Sequence, residues 1–410
     1  MKPYLKYKDS GIEWIGEIPE HWKIVKLKRA TQFLYGESLS NENRLEGKVP
    51  VYGSNGVTGY HNEAITKSPC IVIGRKGSFG KVNYSDKECF PIDTTFYIDT
   101  TATHNDLLWL YYLLLTVRLD SFSKDSAVPG LNREEAYERI ISLPPFSEQQ
   151  TIANYLDRKT RQIDTLIENK QKQIDLLKEQ RAAIINQAVT KGLDPAVKQK
   201  DSGIEWLGEI PEHWAVKKLK YTIRLINEKV ENEDKYELLI ALENIEGFTG
   251  KLLNGSSSFE GSGNTFKKGD VLFNKLRPYL CKVVLTPQDG VAVGELLVFR
   301  PNDPINNRFL FYRILSTDFI SIVNGSTYGA KMPRASWEFI RNLKIPLSPI
   351  IEQQTIVDYL DAQTTIMDES IEKRDKQIEH LKEYRTAFIS EVVTGKIDVR
   401  DSGIPEVRHS

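Results

Sequence analysis

Two groups of basic side chains, set among glycines and an aromatic residue, are where residue type and spacing in this 410-residue sequence could do chemistry. In the first, Lys67, Arg75, Lys76, Lys81 and Lys87 are offset only by Asp86, and Gly74, Gly77 and Gly80 let a ligand approach the backbone. In the second, Lys267, Lys268, Lys275, Arg277 and Lys282 are offset only by Asp270, with Tyr279 available to stack. Lys331 and Arg334, in "YGAKMPRASW", add a further contact group. A strand-loop-strand carrying such residues can enter the major groove of duplex DNA, where Arg reads guanine by two hydrogen bonds and Lys meets phosphate. The candidate DNA contacts are therefore Arg75, Lys76, Lys81, Lys275, Arg277, Tyr279, Lys331 and Arg334. Lysines guarding a solvated sheet edge would give the same pattern. The net charge of −1 lends the DNA reading no global support, so it rests on these local clusters.

Catalytic constellations are missing from the sequence. There is no GxxxxGK[ST] phosphate loop. An amino-methylating nucleobase methyltransferase would need a Gly-rich cofactor loop and an Asn/Asp-Pro-Pro-aromatic string. The nearest string is Leu143-Pro144-Pro145-Phe146, and Leu143 cannot hold an exocyclic amine. Glu168-Asn169-Lys170 looks like a nuclease fragment but falls in mid-helix, where a solvated face explains it. His21 and His213 each stand beside a Trp, with no second His, Cys or paired carboxylate at ligand spacing, which favours structural packing over catalysis or metal binding. Trp14, Trp22, Trp206 and Trp214 read as core or docking residues. No catalytic and no metal-binding residues are expected.

The elements that must position the clusters are repeated. "DSGIEWIGEIPEHW" at Asp9 returns as "DSGIEWLGEIPEHW" at Asp201, and a truncated third copy begins at Asp401 with Ser402, Gly403 and Ile404. "EQQTIANYLD" at Glu148 returns as "EQQTIVDYLD" at Glu352. Behind each, apolar residues recur at helical gaps, from Ile152 and Leu156 to Ala188 and from Ile356 and Leu360 to Val392. Some forty residues of helix reach roughly 60 Å, the length of a strut. Prolines 144, 145, 346 and 349 hold the chain extended ahead of each helix, and Gly192 and Gly395 end them.

Between motif and helix lie two diverged bodies, each reading as a mixed α/β domain. In the first, "KVPVYGSNGVTGYHN" and "CIVIGRKGSFGKVNY" are strands about turns and "DLLWLYYLLLTVRLDSF" is a buried helix. In the second, "YELLIALENIEG", "GDVLFNKLRPYLCKVVL" and "VAVGELLVFRP" are strands and "NRFLFYRILSTDFI" is the helix. The expected divisions are 1–147, a long helix 148–191, 192–351, a second long helix 352–395, and a tail 396–410. An amphipathic helix must bury its apolar stripe, and its own repeat is the obvious antiparallel partner. That closes a pseudo-twofold, near-cyclic α+β arrangement. Lys170 and Arg374, equivalent under the repeat, then fall near the crossing on otherwise apolar seams. Either their stems snorkel to water or they meet an anionic docking partner.

The remaining composition is that of a soluble protein of two domains, 40% hydrophobic and 27% charged. Cys70, Cys89 and Cys281 form no CxxC pair, "MKPYLKYKDSG" lacks a signal-peptide core, and the run Leu107 to Leu115 is too short to span a bilayer. A cytoplasmic location is expected.

The duplicated order of "SGIEWIGEIPEHW", a variable body, "PLSPIIEQQTIVDYLD" and a long helix resembles the DNA specificity subunit of type I restriction-modification enzymes over the whole chain. "GDVLFNKLRPYL" is also similar to a string of that family's target-recognition domains. The resemblance implies a non-catalytic subunit in which each body is a target-recognition domain reading one half of a bipartite, asymmetric DNA site. The helices would set the gap between halves. It further implies two modification subunits that supply S-adenosylmethionine binding and adenine methylation, and restriction subunits that add ATP- and Mg-dependent translocation and cleavage. A non-catalytic coiled-coil scaffold whose bodies bind proteins is the alternative, and a self-sufficient enzyme would bind S-adenosylmethionine alone.

Overall fold

The computed structural model describes residues 2–121, 130–230, 238–253, 262–329 and 331–401. Ser402, Gly403 and Ile404 of the third motif copy lie outside these residues. Helix and strand are mixed along the chain. The helices are α1 (Leu107–Thr116), α2 (Arg133–Tyr137), α3 (Phe146–Lys191), α4 (Asn307–Leu315), α5 (Thr317–Gly325), α6 (Trp337–Ile340) and α7 (Ile350–Val393). Two units result, Met1–Lys170 with Lys376–Ser410, and Gln171–Asp375. α3 and α7 therefore each contribute residues to both units. Among the described residues no helix is long and apolar enough to cross a membrane.

Pro145 and Pro349 decide where the long helices begin. Each stands just ahead of the first helical residue, where a missing N–H costs nothing, and its carbonyl starts the ladder. Pro145 accepts from the amides of Glu148 at 2.9 Å and Gln149 at 3.0 Å, and Pro349 from Gln353 at 2.9 Å. Phe146 and Ser147, and likewise Ile350 and Ile351, thus belong to the helices and not to the extended segments before them. At the far ends the chain turns through Gly192 and Gly395, at φ 75° and 78°, a conformation that costs other residues free energy.

In the first unit an antiparallel sheet runs in the order Leu34–Tyr35, Thr95–Ile98, Cys70–Gly74, Val82–Ser85. The sequence of α1 is apolar on every side, so it can only be an interior helix. Trp109, Leu110 and Leu113 of α1 share one core with Ile71 and Ile73 of the sheet, Ile152 and Leu156 of α3, and Phe388 and Val392 of α7. Each such side chain, fully buried, contributes about 1.5–3 kcal/mol. Strand Lys23–Lys26 pairs with Ile140–Leu143, which lays the chain leaving Trp22 beside the chain entering α3.

The second unit repeats this topology with different residues: Ile223–Ile226, Leu296–Pro301, Val271–Asn274, Val283–Leu285, and Ala215–Lys218 against Lys344–Leu347. Two expectations are corrected. The single helix expected over "NRFLFYRILSTDFI" is two, α4 and α5, broken at Ser316 with ψ 146°. There the guanidinium of Arg313 donates to Asp318 Oδ1 at 2.7 Å and to the Ser316 hydroxyl, which fixes the bend. Among the described residues of "YELLIALENIEG", which begin at Leu238, only Leu239–Ile240 is strand, followed by a single turn Leu242–Asn244.

The repeated motifs are joints. His21 Nε2 lies 2.8 Å from Glu148 Oε2, and His213 Nε2 lies 2.7 Å from Glu352 Oε2. The Trp214 indole N–H donates to the same Glu352 carboxylate at 3.1 Å, while the Tyr4 hydroxyl donates to Glu148 at 2.5 Å. Burial and the Glu148 carboxylate push the Tyr4 hydroxyl far above its ordinary pKa, which keeps it a donor. The next residue ties in the body: the Asp106 amide donates to Gln149 Oε1, and the Asn306 amide to Gln353 Oε1, both at 2.9 Å. Asp106 and Asn306 are the caps of α1 and α4. His21 and His213 are thus held by hydrogen bonds and half-exposed, and the His21 ring also lies 5.9 Å from that of Tyr4. Trp22 and Trp214 are buried, whereas Trp14 is exposed.

Candidate nucleic-acid interface

In the first unit the backbone after strand Cys70–Gly74 turns through Arg75, Lys76 and Gly77, and Gly77 sits at φ 72°. Lys76 bridges to Gly130, and the Leu131 amide donates to the Arg75 carbonyl at 2.8 Å. Asn132 follows, capping α2 by accepting from the Glu134 amide at 3.0 Å. The second unit builds the same joint. Leu276 bridges to Arg334, the Ala335 amide donates to the Lys275 carbonyl at 2.9 Å, and Ser336 caps α6. The Lys331 and Arg334 group, distant in sequence from Lys275 and Arg277, is therefore part of one surface with them.

The side chains differ between the two joints. Arg75 donates to the Asp93 carbonyl at 2.6 Å and lies 5.4 Å from the Tyr35 ring, over which Arg133 also lies at 5.1 Å. Two guanidiniums lie over one exposed ring, each such contact worth roughly 0.5–1 kcal/mol, and Arg133 also meets Glu134 at 3.3 Å. The two arginines line a cleft of ≈ 530 Å³ with Phe96 and Asn132. Arg133 is shared with a second, polar cleft of ≈ 420 Å³ that contains Lys28, Arg29, Thr103 and His104. Lys76 and Lys81 are both exposed, and Lys81 donates to the carbonyl and side-chain oxygens of Asn55 at 2.9 and 2.8 Å. That bond braces the turn between strands Val49–Gly53 and Gly56–His61.

At the second joint Arg277 takes the place of Gly77 and is itself left-handed, at φ 51° and ψ 63°. A non-glycine residue there stores strain that neighbouring contacts must hold, here the Arg277 amide on the Pro333 carbonyl at 2.7 Å. Its guanidinium donates to the Lys331 carbonyl at 3.4 Å. Tyr279 and Tyr328 are exposed beside it. Asp270, expected to offset the cluster, instead pairs with Arg300 at 2.6 Å. The carboxylate inside the cluster is Glu295, which accepts from Lys275 at 3.1 Å and from Arg334 at 2.8 Å. Burial pushes the Glu295 carboxyl up, but the bonds from Lys275 and Arg334 outweigh it and hold the group below the usual range.

Glu295, Tyr35 and Arg133 escaped sequence reasoning. Glu295 had a signal, as the one charge inside the apolar run "VAVGELLVF". Tyr35 and Arg133 had none, since only folding brings residues 35, 75 and 133 together. Among the described residues no group of His, Cys, Asp or Glu could hold a metal ion. The three free cysteines are buried, with the Cys70 and Cys89 thiols 3.1 Å apart.

Lys170 and Arg374 are each half-buried on the long helices. Lys170 donates to Gln377 Oε1 at 2.7 Å in the first unit, and Arg374 to Gln173 Oε1 at 3.0 Å in the second. Arg385 meets Asp164 at 2.9 Å and Arg181 meets Asp368 at 3.3 Å, again one pair per unit. Both sets are related by the same shift that relates Glu148 to Glu352.

The family model described as the type I restriction modification DNA specificity domain matches residues 19–176 and again 211–380. The chain belongs to that family. The specificity subunit is a non-catalytic part of a type I restriction-modification system and carries two target recognition domains. Among curated relatives, the type I restriction enzyme MjaVIII specificity subunit of Methanocaldococcus jannaschii is 27% identical over 94% of this chain and 95% of its own length. The EcoDI specificity subunit of Escherichia coli is 23% identical over 83% and 81%. A chain solved in work on complex assembly and conformational transition of the type I R-M system superposes with a TM-score of 0.66 at 13% identity, covering 93% of this chain and 99% of that one. That likeness is one of fold. The two family matches take in both basic joints, Arg75–Asn132 and Lys275–Ser336.

Proposed function

We propose that this specificity subunit recognises a bipartite, asymmetric DNA site, each target recognition domain reading one half through its basic joint. The observation that carries the reading is the same backbone joint built twice with unlike side chains, Arg75, Lys76 and Arg133 on one and Lys275, Arg277, Lys331 and Arg334 on the other. Identical readers related by a twofold would recognise a palindrome, whereas unlike readers on a common frame suit an asymmetric sequence. Lys81 and Tyr279 complete the contact set, Lys81 by holding the Asn55 turn.

In this reading residues 1–147 and 192–351 are the two recognition segments, 148–191 and 352–395 the spacers, and 396–410 the tail. The spacers form an antiparallel, pseudo-twofold pair that fixes the distance between half-sites. The one-per-unit pairs Asp164–Arg385 and Asp368–Arg181 support that arrangement. The Asp398 amide on the Lys2 carbonyl at 2.9 Å supports near-cyclic closure. Two modification subunits dock along the spacers, over Lys170 and Arg374, and bring S-adenosylmethionine and the methyl transfer. Two restriction subunits bring ATP, Mg and cleavage. The assembly works in the cytoplasm.

The test is binding of duplex DNA by the purified chain together with its modification subunit, in the presence of heteropolymer competitor. Sequence-selective retention supports the reading. Loss of all DNA binding, with the bodies retaining a protein instead, favours a coiled-coil scaffold. S-adenosylmethionine bound by the isolated chain would point to a self-sufficient enzyme.

A further inference from the structure

Glu295 is an anomaly in a surface built to meet phosphates, because a carboxylate there repels the ligand. It immediately precedes strand Leu296–Pro301, 26% exposed, between Lys275 and Arg334. Its Oε1 accepts from both Nε and Nη2 of Arg334, at 3.0 and 2.8 Å, while Oε2 accepts from Lys275. An arginine held through Nε and one terminal nitrogen has its plane fixed and keeps its outer N–H groups for a second acceptor. That is the geometry needed to present a fork to the O6 and N7 atoms of guanine. Lys275, meanwhile, has its charge met within the protein and is withdrawn from phosphate. Among the described residues, Arg277 and Lys331 have no such carboxylate bonded to them, and Arg277 donates to the Lys331 carbonyl. The first unit solves the same problem differently, with Arg75 held by the Asp93 carbonyl and the Tyr35 and Phe96 rings.

We infer that Glu295 is a positioning residue for specificity, which orients Arg334 to read a guanine in the second half-site and keeps Lys275 from binding phosphate indiscriminately. The inference rests on the second unit being a DNA reader. It predicts an unusual outcome, since removing an acid from a basic cluster ordinarily tightens binding to all DNA alike.

The experiment uses the full chain assembled with its modification subunit. Binding is measured against duplexes randomised in the second half-site, at several salt concentrations, for wild type, E295Q, E295A, R334A, R277A and K331A. For E295A the expected result is loss of preference at one base pair, about tenfold or more, the same base pair that R334A affects. Non-selective affinity should be kept or raised and the salt slope should steepen by about one phosphate's worth, roughly 0.9. The first half-site should be unaffected in every variant. E295Q, which keeps the shape, separates a lost charge from a collapsed loop, and its thermal unfolding should match wild type at neutral pH within a few degrees. Equal weakening at every base pair, or full preference retained in E295A and E295Q, overturns the inference. If R277A, K331A and R334A all leave DNA binding unchanged, the reading of the second unit as a DNA reader fails instead.

Discussion

Lys170 donates a 2.7 Å hydrogen bond to Gln377, and the repeat of that relationship, Arg374 on Gln173 at 3.0 Å, stands in the other unit. A cation on each apolar seam is thus met by a neutral amide, which holds the side chain without cancelling its charge. Gln173 is exposed and Gln377 only half-buried, so water can replace either cation if it is removed. Substituting both Lys170 and Arg374 by Leu should therefore stabilise the chain, by about 1–2 kcal/mol from added apolar burial, read by thermal unfolding. Assembly with the modification subunit should weaken in the same double variant. Assembly at wild-type affinity would remove Lys170 and Arg374 from the docking surface.

The two motif joints should differ in cost. Glu148 is 6% exposed and Glu352 30%, and Glu148 also serves the buried Tyr4 hydroxyl. Removing a buried acceptor strands its donors, at about 1–3 kcal/mol per group. Glu148→Ala is expected to lower the urea midpoint more than Glu352→Ala, with the first unit opening earlier in hydrogen exchange. An equal effect of the two substitutions would contradict the burial difference.

Acid should release the second cluster. The Glu295 carboxyl lies below its ordinary value in the folded chain, so the unfolded chain binds the proton more readily. Its contribution to stability is complete above the unfolded value, about 4.3, and fades as pH falls through the lower folded value. Glu295→Gln should flatten stability against pH below about 4.5 and leave the profile at neutral pH unchanged, measured by chemical denaturation across that range.

Arg277 is strained in its backbone and lightly held at its guanidinium. Arg277→Ala should relax or change the sequence read in the second half-site, by about 1–3 kcal/mol at one base pair, with the first half-site intact in methylated-motif sequencing. Uniform weakening would make it a phosphate contact. Arg277→Gly, which removes the left-handed strain, is expected to lose selectivity without losing stability.

The spacer can be lengthened. Four residues of helix inserted after Lys170, where α3 passes between the units, add about 6 Å, against a base-pair rise of about 3.4 Å. Methylated motifs should then carry a gap longer by one or two base pairs. An unchanged gap removes the helices as the ruler.

Much of this architecture was legible because repetition is visible without a structure. The paired motifs, the two long helices and their glycine ends could be read from spacing alone, since helical periodicity and turn chemistry are local properties. The start of the long helices was misplaced by two residues because the deciding contact is a proline carbonyl that spacing does not reveal. The break at Ser316 was missed because it depends on the ion pair of Arg313 with Asp318. Only folding decided that His21 and His213 clamp Glu148 and Glu352, residues more than a hundred positions away, and that Asp270 belongs to Arg300 while Glu295 belongs to Lys275 and Arg334. The sequence by itself determined the duplicated frame and the supply of basic residues. The tertiary structure alone decided which cations are paired within the chain, because long-range pairing depends on which strands and loops come side by side.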